Sequence, residues 1–255
     1  MKDQVAFILP DLQVPYHDSK MVAATQQFVG DFGFDQILCV GDEADSPEPS
    51  RWNKGTAGEY AGTLQKGLDL THKVMKGYRE AAGDVPFHLM RSNHGDRIQH
   101  YVRRYAPALD SLRSLEYETL LGYADLGITY HKNVYRFASG WALAHGDEGN
   151  LIRTAGGTAL SLAKRTGLSI VCGHTHRLGI QHEHTSVGGN VTGRLFGFEV
   201  GNLMDLKKAS YLKSGSANWQ AGFGILYADK KGNITPVPVP IINKSFTVEG
   251  VTYSW

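Results

Sequence analysis

Short apolar runs alternate along this chain with stretches whose apolar residues return at helical spacing, and proline, glycine or a small polar residue breaks off each run. Val5-Ala6-Phe7-Ile8-Leu9 is the first run, and Pro10 ends it. Asp18 or Ser19 can cap a helix that keeps Met21, Val22, Phe28, Val29 and Phe32 on one face. The run at 36–40 completes a β-α-β unit whose two strands are expected to be parallel. Ser46 to Thr56, with Pro47, Pro49 and Gly55, reads as a loop. Tyr60, Leu64, Leu68, Met75 and Tyr78 mark a helix up to Gly83, followed by a third strand from Val85 to Met90. Arg91 to Gly95 is its exit loop, and Asp96 is expected to cap a further helix carrying Arg97, Arg103 and Arg104.

Leu109 to Leu121 reads as helical and Gly122 to Gly127 as a turn. Ile128 to Phe137 and Trp141 to His145 read as two strands joined through Ser139-Gly140, and Leu151 to Arg165 as a helix despite Gly156 and Gly157. Ser169-Ile170-Val171-Cys172 is another buried strand. The texture then changes to short alternating strands, Arg194 to Val200, Phe223 to Ala228 and Ile234 to Pro240, with Lys231-Gly232-Asn233 as a hairpin turn. Asn218-Trp219-Gln220 beside Gly222 reads as a further hairpin with Trp219 packed, base stacking being the alternative. An α/β first part followed by hairpins implies an α/β fold of two mixed sheets packed as a sandwich, with helices outside. No linker divides the chain, so one domain over 1–255 is expected, with the chemistry within 5–180 and a β-rich part over 181–255.

Composition narrows the class. The 26 basic and 25 acidic side chains leave no global field drawing the chain to nucleic acid or to a membrane. Cys39 and Cys172 both fall in predicted core strands, which suits reduced thiols in a cytoplasm better than a disulfide framework. No apolar run approaches the ~20 residues of a membrane span. Met1-Lys2-Asp3-Gln4, running straight into a strand, does not read as a signal peptide.

The candidate chemistry sits where the apolar runs end. Asp11, Asp42, Asn93, His145, His174 and His176 each follow such a run closely, and Gly41 lets the chain turn sharply just before Asp42. Oxygen and nitrogen donors delivered by several strand ends are what a two-metal hydrolytic site requires. His174 and His176 alternate by two, so an irregular turn must join them if they are to point the same way.

Taken in order, the pieces are Asp11-Leu12-Gln13, Gly41-Asp42-Glu43-Ala44-Asp45, Ser92-Asn93-His94-Gly95-Asp96, Ala144-His145-Gly146-Asp147 and Gly173-His174-Thr175-His176. Together they resemble the calcineurin-like metallophosphoesterases, whose pattern is DxH, GDxxD, GNH[DE], a lone His and GHxH. The resemblance spans roughly residues 5–180 and implies a sandwich of two mixed sheets flanked by helices. It implies that Asp42 bridges two divalent cations. The first would also take Asp11 and His176, and the second Asn93, His145 and His174. Manganese is the first expectation, with iron, zinc or nickel as alternatives. His94 would be a catalytic imidazole that binds a phosphate oxygen or protonates the leaving alkoxide. A water shared by cations about 3.5–4 Å apart would ionise near neutral pH and attack phosphorus in line.

Two departures stand out. Gln13 replaces the usual histidine of the first motif, so either its carbonyl oxygen is a weaker ligand or His17 stands in. In the third motif Ser92 replaces glycine and Gly95 displaces the acid, leaving Asp96 either to orient His94 or to cap the helix. The remaining candidates have plainer readings. Asp45 is expected to bond nearby backbone amides. His182 and His184 are read as solvated, and His72, His88, His100 and His131 as ordinary. Arg97, Arg103 and Arg104 form a solvated helix face or offer charge to a phosphate. The first functional expectation is a phosphodiesterase of small diesters, including 2′,3′- and 3′,5′-cyclic nucleotides, acting without membrane or covalent intermediate. A nuclease for DNA or RNA is the alternative, and it requires a basic groove leading to Asp42. A scaffold that keeps the fold without catalysis is the reading from another class.

Overall fold

The computed structural model describes residues 3–208 and 217–255; Met1 and Lys2 of the N-terminal reading and residues 209–216 of the β-rich part lie outside it. β1 (Gln4–Leu9) ends at Pro10, and α1 (Ser19–Phe32) starts behind Asp18, whose carboxylate accepts the N–H groups of Lys20 and Met21. β2 (Gln36–Cys39), α2 (Leu64–Ala82), β3 (Phe87–Met90) and α3 (Asp96–Tyr105) continue the α/β pattern. Then come α4 (Tyr117–Leu120), β4 (Ile128–His131), β5 (Tyr135–Ala138), β6 (Trp141–Leu143), α5 (Gly157–Thr166) and β7 (Ser169–Cys172). The β-rich part supplies β8 (Leu178–Val187), β9 (Asn190–Val200), β10 (Gly222–Ala228), β11 (Ile234–Pro240), β12 (Ser245–Val248) and β13 (Val251–Ser254).

Two mixed sheets result. One runs β11-β10-β1-β2-β3-β4, parallel from β1 to β4 and antiparallel at β10 and β11. The other runs β5-β6-β7-β9-β8, parallel through β6, β7 and β9. Strand alternation places the sheets face to face. Ala6, Ile8, Leu38, Val40 and Met90 from the first sheet pack on Trp141, Leu143, Val171, Phe198 and Val200 of the second. The opposite residues of the same strands, Phe7, Leu9, Ile37, Cys39 and Leu89, pack against Met21, Val22, Phe28, Met75 and Tyr78 of α1 and α2. On the far side, Ala142, Ile170 and Cys172 receive Ala159, Leu162 and Ala163 of α5. The expected sandwich with outer helices is therefore the observed one, and strands buried on both faces explain why they read as unbroken apolar runs.

Four readings of element bounds fail. α2 starts at Leu64, after Gly62 in a left-handed conformation, and Tyr60 lies in the preceding turns, 76% exposed. Residues 109–121 are not one helix: Leu109, Leu112 and Leu115 recur every third position, the spacing of the 3₁₀ turns observed at 107–109 and 113–115, and only α4 is helical. The expected strand 128–137 breaks at Lys132-Asn133. β4 closes the edge of the first sheet and β5 opens the edge of the second, so the chain crosses between sheets there. α5 begins only at Gly157, because Gly156 has φ 79°, outside helical space. The β-rich part is no appendage, since β8 and β9 complete one sheet while β10 and β11 complete the other.

Candidate metal centre

Every expected donor lies just past a strand. Asp11 follows β1, Asp42 follows β2, Asn93 follows β3, His145 follows β6, and His174 and His176 follow β7. Since β1 to β3 run parallel in one sheet and β6 with β7 in the other, their C-terminal ends converge on one lip of the sandwich. The turns there are tight. Gln13, Asp42, His174 and His176 have φ of 55°, 53°, 64° and 56°, the left-handed region that side-chain-bearing residues rarely adopt. Such backbone costs about 1–3 kcal/mol per residue and persists where the surroundings over-determine it. The irregular turn required between His174 and His176 is thus present. Gly173 has no freedom to be anything else: a Cβ there would sit 2.1 Å from Asp11 Oδ1.

The donors fall into two groups that share Asp42. In one, Asp42, His145 and His174 converge; in the other, Asp11, Asp42 and His176 do. Asn93 completes the first, its Oδ1 lying 2.9 Å from both His145 Nε2 and His174 Nδ1. His145 Nε2 is 3.4 Å from Asp42 Oδ2. Its Nδ1 donates to the Val40 carbonyl at 2.8 Å, which turns Nε2 toward the other donors. In the second group Asp11 Oδ2 and His176 Nε2 are 3.1 Å apart, yet neither Asp11 oxygen has a hydrogen-bond partner among the described residues, although the side chain is fully buried. Gln13 Nε2 donates to Asp42 Oδ2 at 2.8 Å and lies 3.5 Å from His176 Nε2, while its buried Oε1 has no partner among the described residues. His17 joins neither group.

Buried oxygen and nitrogen donors converging on a common point, with orphan oxygens among them, are what ligands of a common cation look like. The oxygen and nitrogen donors, with no thiolate among them, could bind metal. Electrostatics agree. Burial opposes a charged His145, yet the charge and hydrogen bond of Asp42, reinforced by Asp11 and Asp147, lift it to about 10. Burial likewise opposes the Asp42 charge, but His145 and His94 hold it well below the usual carboxylate range. His174 is pushed down by burial and by the charge of His145. The site demands positive charge.

Its supports were mostly hidden in the sequence. Asp96 neither orients His94 nor caps α3; the Arg91 guanidinium holds it at 2.7 Å and grips Asp147 at 2.8 Å. This clamp ties the loop of Asn93 to the loop of His145. Ser92 replaces the capping role, its Oγ accepting the Gly95 N–H at 3.1 Å. Asp45 orients His94 instead: its carboxylate lies 2.8 Å from His94 Nδ1, and Arg97 bonds the Asp45 carbonyl at 2.6 Å and approaches His94 Nε2 at 3.0 Å. Burial lowers the His94 pKa, but Asp42 and Asp45 together raise it above the ordinary value. Buried Glu199 accepts from the Thr175 hydroxyl and the Thr158 N–H, fixing the turn between the two histidines. From beyond the expected range, Asn202 donates to the His176 carbonyl, and the Trp219 ring stands 4.3 Å from the His176 ring. Residues 217–220 are irregular, so Trp219 reaches the site from a loop and not a hairpin. A cavity of about 570 Å³ opens over the donors, lined by Tyr16, Asp42, His94, His174, His176 and Trp219 among others.

No family model matches the chain. It is 36% identical over 247 residues to the Gene 54 protein of Mycobacterium phage D29, across 95% of this chain and 96% of that protein. It is 35% identical over 246 residues to the Gene 54 protein of Mycobacterium phage L5, across 95% and 96% respectively. Among solved structures, Vacuolar Protein Sorting 29 from Cryptosporidium parvum aligns over 100% of both chains with a TM-score of 0.49 at 13% identity. Vps29 from Entamoeba histolytica, in complex with zinc, aligns over 97% of this chain and 98% of its own with a TM-score of 0.48 at 12% identity.

Proposed function

The chain belongs to the family of the phage Gene 54 proteins, and from that premise we propose that it is a binuclear metal-dependent phosphodiesterase of the calcineurin-like kind. One observation carries the reading: two donor groups that share a single buried carboxylate lie at the floor of a nucleotide-sized cavity. Asp42 would serve both cations, with Asn93, His145 and His174 on one side and Asp11, His176 and Gln13 on the other. Such a pair supplies Lewis acidity to a phosphate oxygen and a water reactive near neutral pH. Manganese suits the oxygen-rich side best, with iron, zinc or nickel as alternatives.

The chain's own residues do the rest. Asp45 fixes the His94 ring and raises its affinity for a proton, so the imidazole can hold one and pass it to a departing alkoxide. Arg97, beside His94, adds positive charge where the phosphate oxygens would lie. A donor for a poor leaving group serves diesters above all, and a small phosphodiester such as a 2′,3′- or 3′,5′-cyclic nucleotide is the first substrate class. The free buried thiols of Cys39 and Cys172 suit the cytoplasm as its place of action.

The test is a screen of bis-p-nitrophenyl phosphate, p-nitrophenyl phosphate and both classes of cyclic nucleotide with added Mn²⁺. Diesters should be turned over, and Asp42→Ala should lose both calorimetric metal binding and turnover. His94→Ala should keep the metals and lose about 10²–10⁴-fold in rate, chiefly on poor leaving groups. Equal losses on good and poor leaving groups would remove His94 from the acid role. Metal binding with no turnover of any ester would leave a scaffold and not an enzyme.

A further inference from the structure

A second cavity of about 620 Å³ adjoins the first and shares Ser50, Trp52 and Arg97 with it. Its walls come from the loop after Pro49 and from α3. The chain as a whole carries a net charge of only +1, but cations collect here. Arg51, Lys54, Arg97 and Arg104 line the cavity; Lys54 pairs with Glu59 and Arg97 with Asp45, while the two lining carboxylates, Asp96 and Asp147, are both taken up by Arg91. Arg51 and Arg104 are exposed and form no ion pair among the described residues. α3 sorts its arginines by rotation: Arg103 turns away to Asp110, whereas Arg104 faces the cavity.

Exposed aromatic faces stand among these cations. Trp52 is 76% exposed, with the Arg51 guanidinium 4.8 Å from its ring. Tyr105 is 46% exposed, and the Lys54 ammonium lies 3.8 Å from its ring. Tyr101 and Tyr105 pack with ring centroids 4.8 Å apart. Cations interleaved with exposed aromatic rings match one class of ligand: a chain of phosphates carrying flat bases. An acidic peptide would use the cations and leave the rings idle. A duplex keeps its base faces stacked and offers none to Tyr105 or Trp52.

From this juxtaposition we infer that the groove takes the strand running on from the scissile phosphodiester, so that single-stranded nucleic acid is a substrate beyond the small diesters. The inference rests on the phosphodiesterase reading above and names its substrate class. One nucleotide would occupy the cavity over the donors, and its neighbours would lie along Trp52, Arg51, Tyr105 and Arg104.

Binding and hydrolysis test it separately. Without added metal, the full chain should bind fluorescein-labelled decathymidylate or decauridylate in anisotropy titrations. The Arg51→Ala/Arg104→Ala variant should weaken binding about tenfold or more and flatten the log Kd–log salt slope by about 1.4, roughly 0.7 for each lost phosphate contact. Tyr105→Leu should weaken decathymidylate about tenfold and leave an abasic decamer unaffected. With Mn²⁺, the ratio of kcat/KM for decathymidylate to that for bis-p-nitrophenyl phosphate should fall about tenfold in the double-arginine variant and stay fixed in Arg103→Ala. Hydrolysis of bis-p-nitrophenyl phosphate, with no strand bound or with binding indifferent to these substitutions, overturns the groove and leaves the phosphodiesterase standing. No turnover of bis-p-nitrophenyl phosphate overturns the phosphodiesterase, and the substrate assignment with it.

Discussion

Gln13 is the residue at which the expected pattern and this chain part company, and its surroundings decide between the two substitutes. His17 joins neither donor group, whereas the Gln13 amide touches Asp42 and His176. An amide's oxygen and nitrogen exchange places with a half-turn of the side chain. That half-turn would direct the oxygen, orphaned as placed, to the spot where nitrogen now meets the Asp42 carboxylate. Gln13→Ala should therefore weaken one of two calorimetric Mn²⁺ sites by about 10–100-fold, and Gln13→His should tighten it. Two unchanged sites in Gln13→Ala would remove the side chain from the ligand set. Asp45 shows why such detail escapes the sequence. Its partners His94 and Arg97 lie 49 and 52 residues away, and no periodicity connects them.

Elements bring together pairs that looked ordinary one at a time. His88 on β3 and His131 on β4 meet diagonally across a parallel ladder, 3.0 Å between Nδ1 and Nε2, with the Tyr135 hydroxyl of β5 3.2 Å from His88 Nε2. Burial pushes both imidazoles below their ordinary value, and for His88 the charge of His131 adds to it. In the unfolded chain they titrate near 6.5, so between the folded and unfolded values the unfolded state binds more protons. Stability contributed here is present above about pH 6.5 and is lost as pH falls below it. Thermal melts in chelator from about pH 7.5 to 5.5 should show a steeper fall for the natural chain than for His131→Gln; parallel curves would assign the acid sensitivity elsewhere. The same logic of crossing elements produced the Arg91 clamp, which joins the exit of β3, the start of α3 and the loop after β6.

At the scale of the molecule, the site is a seam between two sheets, so whatever binds there fastens them together. A ligand at 100 times its Kd stabilises the folded state by about 2.7 kcal/mol. For a chain of this size that is a Tm gain of roughly 5–10 °C, which EDTA should abolish in the natural chain and Asp42→Ala should never show. A melt indifferent to Mn²⁺ would mean that the donors hold no ion. The sequence by itself determined the layered α/β sandwich and named residues that gather at its lip. Strands buried on both faces must be apolar throughout, and residues that turn the chain at strand ends must be glycine or short and polar. It could not determine that Asp96 belongs to Arg91, that Asn202 and Trp219 return to the site from the β-rich part, or that Arg51 and Arg104 meet along one groove. Those are relations between distant segments. Composition averages them away and local periodicity never samples them, so only the packing of the two sheets decides them.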